Sequence, residues 1–342
     1  MKENSEKVAY TKKPLSIRNQ IVKLKSRGLI LDDEKLAANY LENISYYRLR
    51  AYTYPFQNNN DEDSDHAFII DDIHFKDIID LYCFDRRLRS LVFNAIEKIE
   101  VSVRAKMVQI YGDSTGDSHW YQDESLFKDD SYFVENENGK FEEVFKYDDL
   151  ISDIENEVYR SNEDFIKHYI SKYNDPELPP AWMTLEVVSM GTLSRIYELL
   201  KKSIEVDEDK KSKTKEDSDK FKIAKSYGLN SIDVFENWLH GISNLRNCCA
   251  HHSRIWNRRF IVSLKIPTNT DSFFLDRETA GKIHKNKLFA YLCAIKYILD
   301  IISPGNDFKT NLFTLISNGG KLLSLKDMGF PENWKYLGVW RS

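Results

Sequence analysis

One uninterrupted helical pattern, from Phe75 to about Tyr111, constrains the fold of this 342-residue chain more than any other feature. Apolar residues recur there at the three- and four-residue spacing of a single helix face, and no proline or glycine interrupts them. This face contains Leu81, Leu88, Leu91, Val92, Ala95, Ile96, Ile99, Val103 and Ile110. Because strand signals are few elsewhere in the chain, the pattern predicts a mostly α-helical protein.

Four further segments support this class. Ile17, Ile21 and Leu24 follow helical spacing, and the acid-led segment after them completes a predicted helical hairpin. The segment "WMTLEVVSMGTLSRIYELL" predicts a buried helix after Pro180, and another begins at Asn230 or Ser231. The segment "NKLFAYLCAIKYILDII" predicts one more helix, whereas "RRFIVSLKI" indicates a short strand or an extended segment.

Polar and charge-rich runs divide the chain. The run "QNNNDEDSD" separates an N-terminal helical segment, residues 1–56, from a helical domain over residues 67–342 on which we expect it to pack. Two insertions are predicted in the larger domain, near residues 113–150 and 201–220. Residues 113–157 hold fifteen acids against three lysines, which predicts a solvated, loop-rich excursion that would repel a phosphate backbone.

Net charge and composition restrict the function. A formal net charge of −5 argues against a protein that coats nucleic acid, so any nucleic-acid site must be local. The polar N-terminus and the absence of a run of about 20 apolar residues predict a cytoplasmic protein without a membrane span. The four cysteines form no disulfide framework, which is typical of a reducing compartment.

The segment "NLRNCCAHHSRIWNRRF", residues 244–260, carries the most chemistry. On a helical wheel Arg246 falls inside the apolar stripe of its helix, where a guanidinium is costly unless it is paired or opens onto a cleft. Asn247 and His251, four residues apart, can face one groove beside it. An arginine fork, an amide and a titratable imidazole together suit phosphodiester chemistry.

Local charge agrees with a phosphate ligand. No acid occurs between Glu236 and Asp271, whereas five cations do: Arg246, Arg254, Arg258, Arg259 and Lys265. With Trp256 and Phe260 interleaved, this segment is predicted to hold an RNA backbone and to stack an unpaired base. The simpler interpretation is a basic helix end that complements its own dipole.

Other chemistries find less support. Cys248 and His252, one helical turn apart, could form a thiolate–imidazolium pair or two metal ligands, but no third or fourth ligand lies at recognisable spacing. We therefore predict no metal and no cofactor. On the long helix Glu100 and Arg104 form an i,i+4 pair. They are either a solvated flank, or Glu100 (or Asp85) compensates Arg246 and shapes the groove.

Four segments together resemble a known family: "ISYYRLRAYTYPF", "FDRRLRSLVFNAIEKIEVSVR", "NLRNCCAHHSRIWNR" and "MGFPENWKYLGVW". In this order they are similar to the Abi-like proteins of bacterial abortive infection, the AbiD and AbiF group. The Arg-Asn-x-x-x-His element by itself resembles the broader HEPN ribonuclease superfamily.

The resemblance implies an α-helical HEPN-like bundle, usually a homodimer, in which the Arg-x4–6-His motifs of two protomers face a shared cleft. It also implies metal-independent RNA cleavage in phage defence or as a toxin, restrained by an antitoxin that is a protein or a noncoding RNA. Arg246, Asn247 and His251 match the motif, and His252 also satisfies its spacing.

The sequence thus predicts an endoribonuclease in which an RNA 2′-hydroxyl attacks the adjacent phosphate, leaving a 2′,3′-cyclic phosphate. Arg246, Asn247 and His251 are the predicted catalytic residues, with His252 as a substitute for His251. Arg254, Arg258, Arg259 and Trp256 are the predicted RNA-binding residues. The alternative is a non-catalytic module that binds RNA or an antitoxin.

Overall fold

The computed structural model describes residues 9–60, 65–135, 139–202 and 218–341. It divides into two compact units, the first comprising Met1–Arg87 and Leu315–Leu323, the second comprising Leu88–Thr314 and Ser324–Ser342. Helices account for 59% of the described residues and strands for 6%, so the predicted mostly α class is confirmed. Among the described helices, none combines the length and apolar character needed to cross a lipid bilayer.

The first unit begins with the predicted helical hairpin. Its helices are α1 (Ile17–Ser26), α2 (Glu34–Ile44), α3 (Tyr46–Thr53) and the start of α4 (Phe75–Thr115). The Ser16 hydroxyl accepts a hydrogen bond from the backbone of Asn19, and the Asp33 carboxylate caps α2 in the same way. Asp85, on α4, is buried and accepts a 2.6 Å hydrogen bond from the Tyr52 hydroxyl.

The second unit contains the rest of α4, a two-stranded sheet and most of the helices. These elements are β1 (Ser131–Glu135), β2 (Phe141–Phe145), α5 (Lys146–Arg160), α6 (Asp164–Lys172), α7 (Ala181–Val187), α8 (Met190–Leu199), α9 (Asp219–Lys225), α10 (Ile232–Ala250), α11 (Arg277–Lys282), α12 (Leu288–Ile302), α13 (Phe308–Ser317, to Thr314 in this unit) and α14 (Gly338–Arg341). Helix α10 packs against α8, α9 and α12. Since α12 is buried from Leu288 to Leu299, α10 is anchored at the core.

Helix α10 has the stripe that the sequence predicts. Ser231 caps its N-terminus, with the hydroxyl accepting a 3.4 Å hydrogen bond from the backbone N–H of Val234. The stripe residues Phe235, Trp238, Leu239, Ile242, Leu245 and Cys249 are all buried. Because these side chains fix the rotation of α10 about its axis, they also fix which side chains of its last turn reach solvent.

The buried helix predicted after Pro180 is two helices in the structure. Helix α7 ends at Val187, and Ser189 then caps α8 by accepting a 3.2 Å hydrogen bond from the backbone N–H of Thr192. A serine side chain offers the backbone an alternative to the helical ladder, and here that alternative starts a new helix. Apolar periodicity alone does not reveal such a break.

Segment 113–157 differs from the predicted loop-rich excursion. Residues 113–157 contain a β-hairpin and most of α5, a helix on which Leu150, Ile154 and Val158 are buried at four-residue spacing. The acids of α5 lie on the other faces of the helix. They dominate the overall composition of the segment, and composition therefore does not reveal the narrow apolar stripe. Of the insertion predicted near residues 201–220, residues 203–217 lie outside the described residues, and Lys220, at its end, is buried.

Candidate active site

Arg246 lies in the last turns of α10, with its side chain 33% exposed. Its Nε atom is 3.8 Å from Oε2 of Glu100 on α4. This nitrogen is itself buried and makes no hydrogen bond within the described part of the chain. The Glu100 carboxylate therefore lies near the Arg246 guanidinium as an opposite charge, but it does not accept a hydrogen bond from Nε.

Glu100 also serves a second guanidinium. Arg104, one turn further along α4, donates to the Glu100 carboxylate and to the backbone carbonyl of Leu185, and its side chain is buried. Two guanidiniums thus share one carboxylate, which leaves an excess of positive charge in a partly buried place. Since screening by water is weak there, such an excess favours an anionic ligand.

An aromatic ring covers one side of Arg246. The guanidinium carbon lies 5.6 Å from the ring centroid of Phe93, within the range of a cation–π interaction. Phe93 precedes Glu100 by two helical turns on α4, so one face of this helix supplies both the ring and the carboxylate. Together they restrict where the guanidinium can move.

The predicted histidines lie at the end of α10. The helix ends at Ala250; His251 is its C-cap, and its backbone N–H still donates to the carbonyl of Asn247 at 3.0 Å. His252 follows in the left-handed region, with φ of 54°. Asn247, His251 and His252 are all exposed, so each can reach a ligand in solvent.

Helix α4 also supports the turn after the histidines. Arg89 is buried, and its Nη1 donates to the backbone carbonyl of Ser253 at 3.4 Å. Arg89, Phe93 and Glu100 therefore contact the motif from a single helix. The sequence reasoning missed Arg89 and Phe93, although their four-residue spacing and the seven-residue step to Glu100 are a signal that could have found them.

The cationic segment beyond the turn, residues 254–259, holds the four predicted RNA-binding residues. The guanidinium of Arg254 lies 5.9 Å from the ring centroid of Trp256, and Arg258 donates to the backbone carbonyl of Arg254 at 3.5 Å. Arg259 is exposed. Residues 258–266, predicted as a strand or an extended segment, form no strand in the structure.

The aromatic residues in and next to this segment do not have the predicted position. Trp256 is fully buried and Phe260 is nearly so, with the Phe260 ring packed 4.6 Å from that of Tyr291. Base stacking by Trp256 conflicts with this position, because neither face of the indole reaches solvent. Alternation of aromatic and basic residues does not reveal which rings the fold encloses.

A second basic stretch, residues 282–287, runs beside the cationic segment of residues 254–259. The backbone N–H of Phe260 donates to the carbonyl of Asn286 at 2.9 Å, and the Lys287 ammonium donates to the side chain of Asn257 at 3.1 Å. Burial lowers the pKa of Lys287, and the neighbouring cations Arg259 and Arg254 lower it further, against an opposing effect of Asp327. Sequence reasoning missed Lys287 because the residues it approaches are about 30 positions away.

Neither cysteine of the motif lies in a larger ligand cluster. Cys248 is half-buried and Cys249 is buried, and neither forms a disulfide. Within residues 9–60, 65–135, 139–202 and 218–341, no group of three or more His, Cys, Asp or Glu side chains could hold a metal ion.

The fold and the site define a mostly helical protein whose second unit presents an Arg-Asn-His cluster beside a cationic surface. A model of the Abi-like protein family matches residues 39–257, well over half of the chain, and the chain therefore belongs to that family. The match includes α4 and the motif as far as Asn257. No curated protein and no solved structure matches the chain. Membership of the family suggests a role in abortive-infection defence.

Proposed function

We propose that this chain is a metal-independent endoribonuclease of abortive infection or of toxin–antitoxin type, with a HEPN-like site at the end of α10. The observation that supports it best is the setting of Arg246. A partly exposed guanidinium, fixed by Phe93 and Glu100, lies on the same helix end as the exposed Asn247 and His251. This set supplies charge stabilisation, orientation and proton transfer.

In the proposed reaction RNA supplies its own nucleophile. His251 accepts the proton of a 2′-hydroxyl as its oxygen attacks the adjacent phosphorus. The bond from phosphorus to the 5′-oxygen breaks, and a second imidazole protonates that oxygen, so the products are a 2′,3′-cyclic phosphate and a 5′-hydroxyl. Arg246 stabilises the charge that builds on the phosphoryl oxygens, and Asn247 orients the hydroxyl or the imidazole. DNA lacks the nucleophile and is not cleaved.

The surrounding cations bind the RNA strand in this proposal. Arg254, Arg258 and Arg259 extend the site away from α10, and Lys287 adds a fourth charge from the second basic stretch. Contacts between these cations and phosphates do not depend on the RNA sequence, and added salt weakens them. The proposed partners are therefore RNA and an antitoxin that covers the same cations.

Two copies of the chain complete the proposed site. One Arg-Asn-His cluster offers a single imidazole at position 251, whereas the reaction transfers two protons. A two-fold axis beside α10 brings a second imidazole and a second guanidinium into one cleft. The site is then shared by a homodimer.

The test uses purified protein and end-labelled RNA in excess EDTA, with a DNA strand of the same sequence as a control substrate. We expect cleavage of the RNA alone, with 2′,3′-cyclic phosphate ends. Arg246→Ala should lower the cleavage rate by about 10²–10³-fold while RNA binding persists. Arg160→Ala, at an exposed helix-end arginine, is the matched control and should cleave normally.

Two outcomes would contradict the enzyme. A requirement for a divalent metal would exclude the proposed mechanism. Salt-sensitive RNA binding by wild-type protein, with no cleavage of any RNA, would identify the non-catalytic binding module instead.

A further inference from the structure

The β-hairpin of the second unit presents three phenylalanines on one face. Strands β1 and β2 pair antiparallel, with Phe133 opposite Glu143 and Glu135 opposite Phe141. Because side chains alternate along a strand, these four residues and Phe145 share a face of the sheet. Phenylalanine and glutamate therefore alternate both along and across that face.

These rings are open to solvent. Phe133 is 66% exposed and Phe141 is 69% exposed, and Phe145 is exposed as well. Among the described residues this sheet has two strands and no third strand beside either edge. A sheet of that size is marginal in water, and the edge of a sheet can pair with a further strand. A further segment laid along this hairpin would cover the rings and pair one edge.

A groove continues this surface beyond the end of β2. It has a volume of about 490 Å³, and it is lined by the rings of Phe145, Phe127 and Tyr147 and by two carboxylates and two lysines, Glu124, Asp129, Lys128 and Lys201. The rings of Phe127 and Tyr147 pack 5.0 Å apart at its wall. The groove has room for a large apolar side chain of a segment that lies along the hairpin.

Charge restricts what can bind here. Residues 129–149 contain eight acids and two lysines. A second copy of the hairpin carries the same charge and is repelled, as are a nucleic acid and an anionic lipid surface. The apolar rings and the surrounding carboxylates together match a polypeptide in which apolar and cationic residues alternate.

We propose that this face, which comprises Phe133, Phe141, Phe145, Glu135 and Glu143, is a docking site for a basic segment of a partner protein. The segment lies along the hairpin as an added strand, with apolar side chains on the rings and lysine or arginine beside the carboxylates. The proposal does not depend on ribonuclease activity, because none of these residues belongs to the site on α10.

The experiment uses a short fluorescent peptide of alternating lysine and leucine as the probe, followed by anisotropy. Wild-type protein should bind it, and the double variant Phe133→Ser/Phe141→Ser should bind it about tenfold or more weakly. Since both rings are exposed, the fold should survive, and circular dichroism checks this. The matched control is Ile69→Ser/Tyr336→Ser, at side chains 66% and 71% exposed, which should bind like wild type.

A second pair of measurements tests the charge requirement. Glu135→Lys/Glu143→Lys should weaken binding while the rings stay in place, and a glutamate–leucine peptide should not bind to the wild type. Equal affinity of the wild type and the phenylalanine double variant would overturn the proposal, as would binding of the acidic peptide. A wild-type dimer in sedimentation that the double variant loses, without peptide binding, would assign the surface to a second copy and would also overturn it.

Discussion

The backbone N–H of Ser253 donates a 2.9 Å hydrogen bond to the carbonyl of Cys248, and this bond closes the end of α10. Inside it, the backbone N–H of His252 donates to the carbonyl of Cys249 at 3.1 Å. This pair of bonds is a Schellman motif, in which the first residue after the C-cap adopts the left-handed conformation. His252 is that residue, since it follows the C-cap His251. His252 therefore occupies a position that usually favours glycine, whereas His251 has no such constraint.

This difference separates the two histidines experimentally. We expect His252→Gly to keep RNA cleavage and to leave the free energy of unfolding equal or higher, because glycine adopts the left-handed conformation without steric cost. His251→Ala should lower cleavage by about 10²–10⁴-fold with an unchanged melting curve. Cleavage assays and thermal unfolding of both variants show which of the two histidines is needed for cleavage. Loss of activity in folded His252→Gly alone would transfer the catalytic role to His252.

A second prediction concerns the carboxylate shared by two guanidiniums. Glu100→Gln removes the charge that faces both the buried Arg104 and Arg246, so it should lower the free energy of unfolding by on the order of 3 kcal/mol. Glu97→Gln, at an exposed position of the same helix, is the control and should change stability by less than about 0.5 kcal/mol. Denaturant titration measures both. Equal stabilities would mean that Glu100 contributes no more than a surface charge.

A third prediction follows from the buried Lys220. Its ammonium donates to the carbonyls of Glu198 and Leu200 and to the Glu236 carboxylate. Burial lowers its pKa to about 8 from an ordinary value of 10.5, although the hydrogen bond from the ammonium to Glu236 opposes this shift. Above pH 8 the folded state has lost a proton that the unfolded state still binds, so stability gained from this group rises with pH until about 10.5.

The measurement is the difference in unfolding free energy between wild type and Lys220→Met from pH 7 to 9.5. This difference should shift in favour of the wild type above pH 8, by up to about 1.4 kcal/mol per pH unit. The subtraction cancels the titration of other groups. Lys222→Met, at a partly exposed lysine on the same helix, should keep the wild-type slope. A difference that does not vary with pH would show that Lys220 has an ordinary pKa.

The fourth prediction tests the proposed homodimer. Light scattering should give the mass of two chains, and added RNA should raise the dimer fraction, because a polyanion relieves repulsion between facing Arg246 side chains at low salt. Mixed dimers of Arg246→Ala and His251→Ala chains should cleave far more slowly than wild type, because the shared cleft then holds a single imidazole at position 251 whereas the reaction uses two. A monomer that cleaves at the full rate would refute the shared site while leaving the residue roles in place.

Local patterns were enough to predict several elements of this protein. The α4 face, the buried stripe of α10 and its Ser231 cap all follow from the spacing of neighbouring residues, which a single sequence displays. The position of Arg246 inside that stripe also indicates, from helical spacing alone, a guanidinium that is paired or binds a ligand. These features depend on helical geometry, which is the same in every fold.

Only the tertiary structure decided which residues complete the site. The approach of Phe93 and Glu100 to Arg246 spans about 150 positions, and the contact of Lys287 with Asn257 spans 30. Burial of Trp256 depends on packing between segments, so no local pattern displays it. The sequence by itself determined the first hairpin, α4, α10, α12 and the family motif through short-range geometry. Packing between distant segments decided which carboxylate faces Arg246, which aromatic rings are buried and which phenylalanines of the hairpin stay exposed. Each of these properties depends on contacts between residues that are far apart in the sequence.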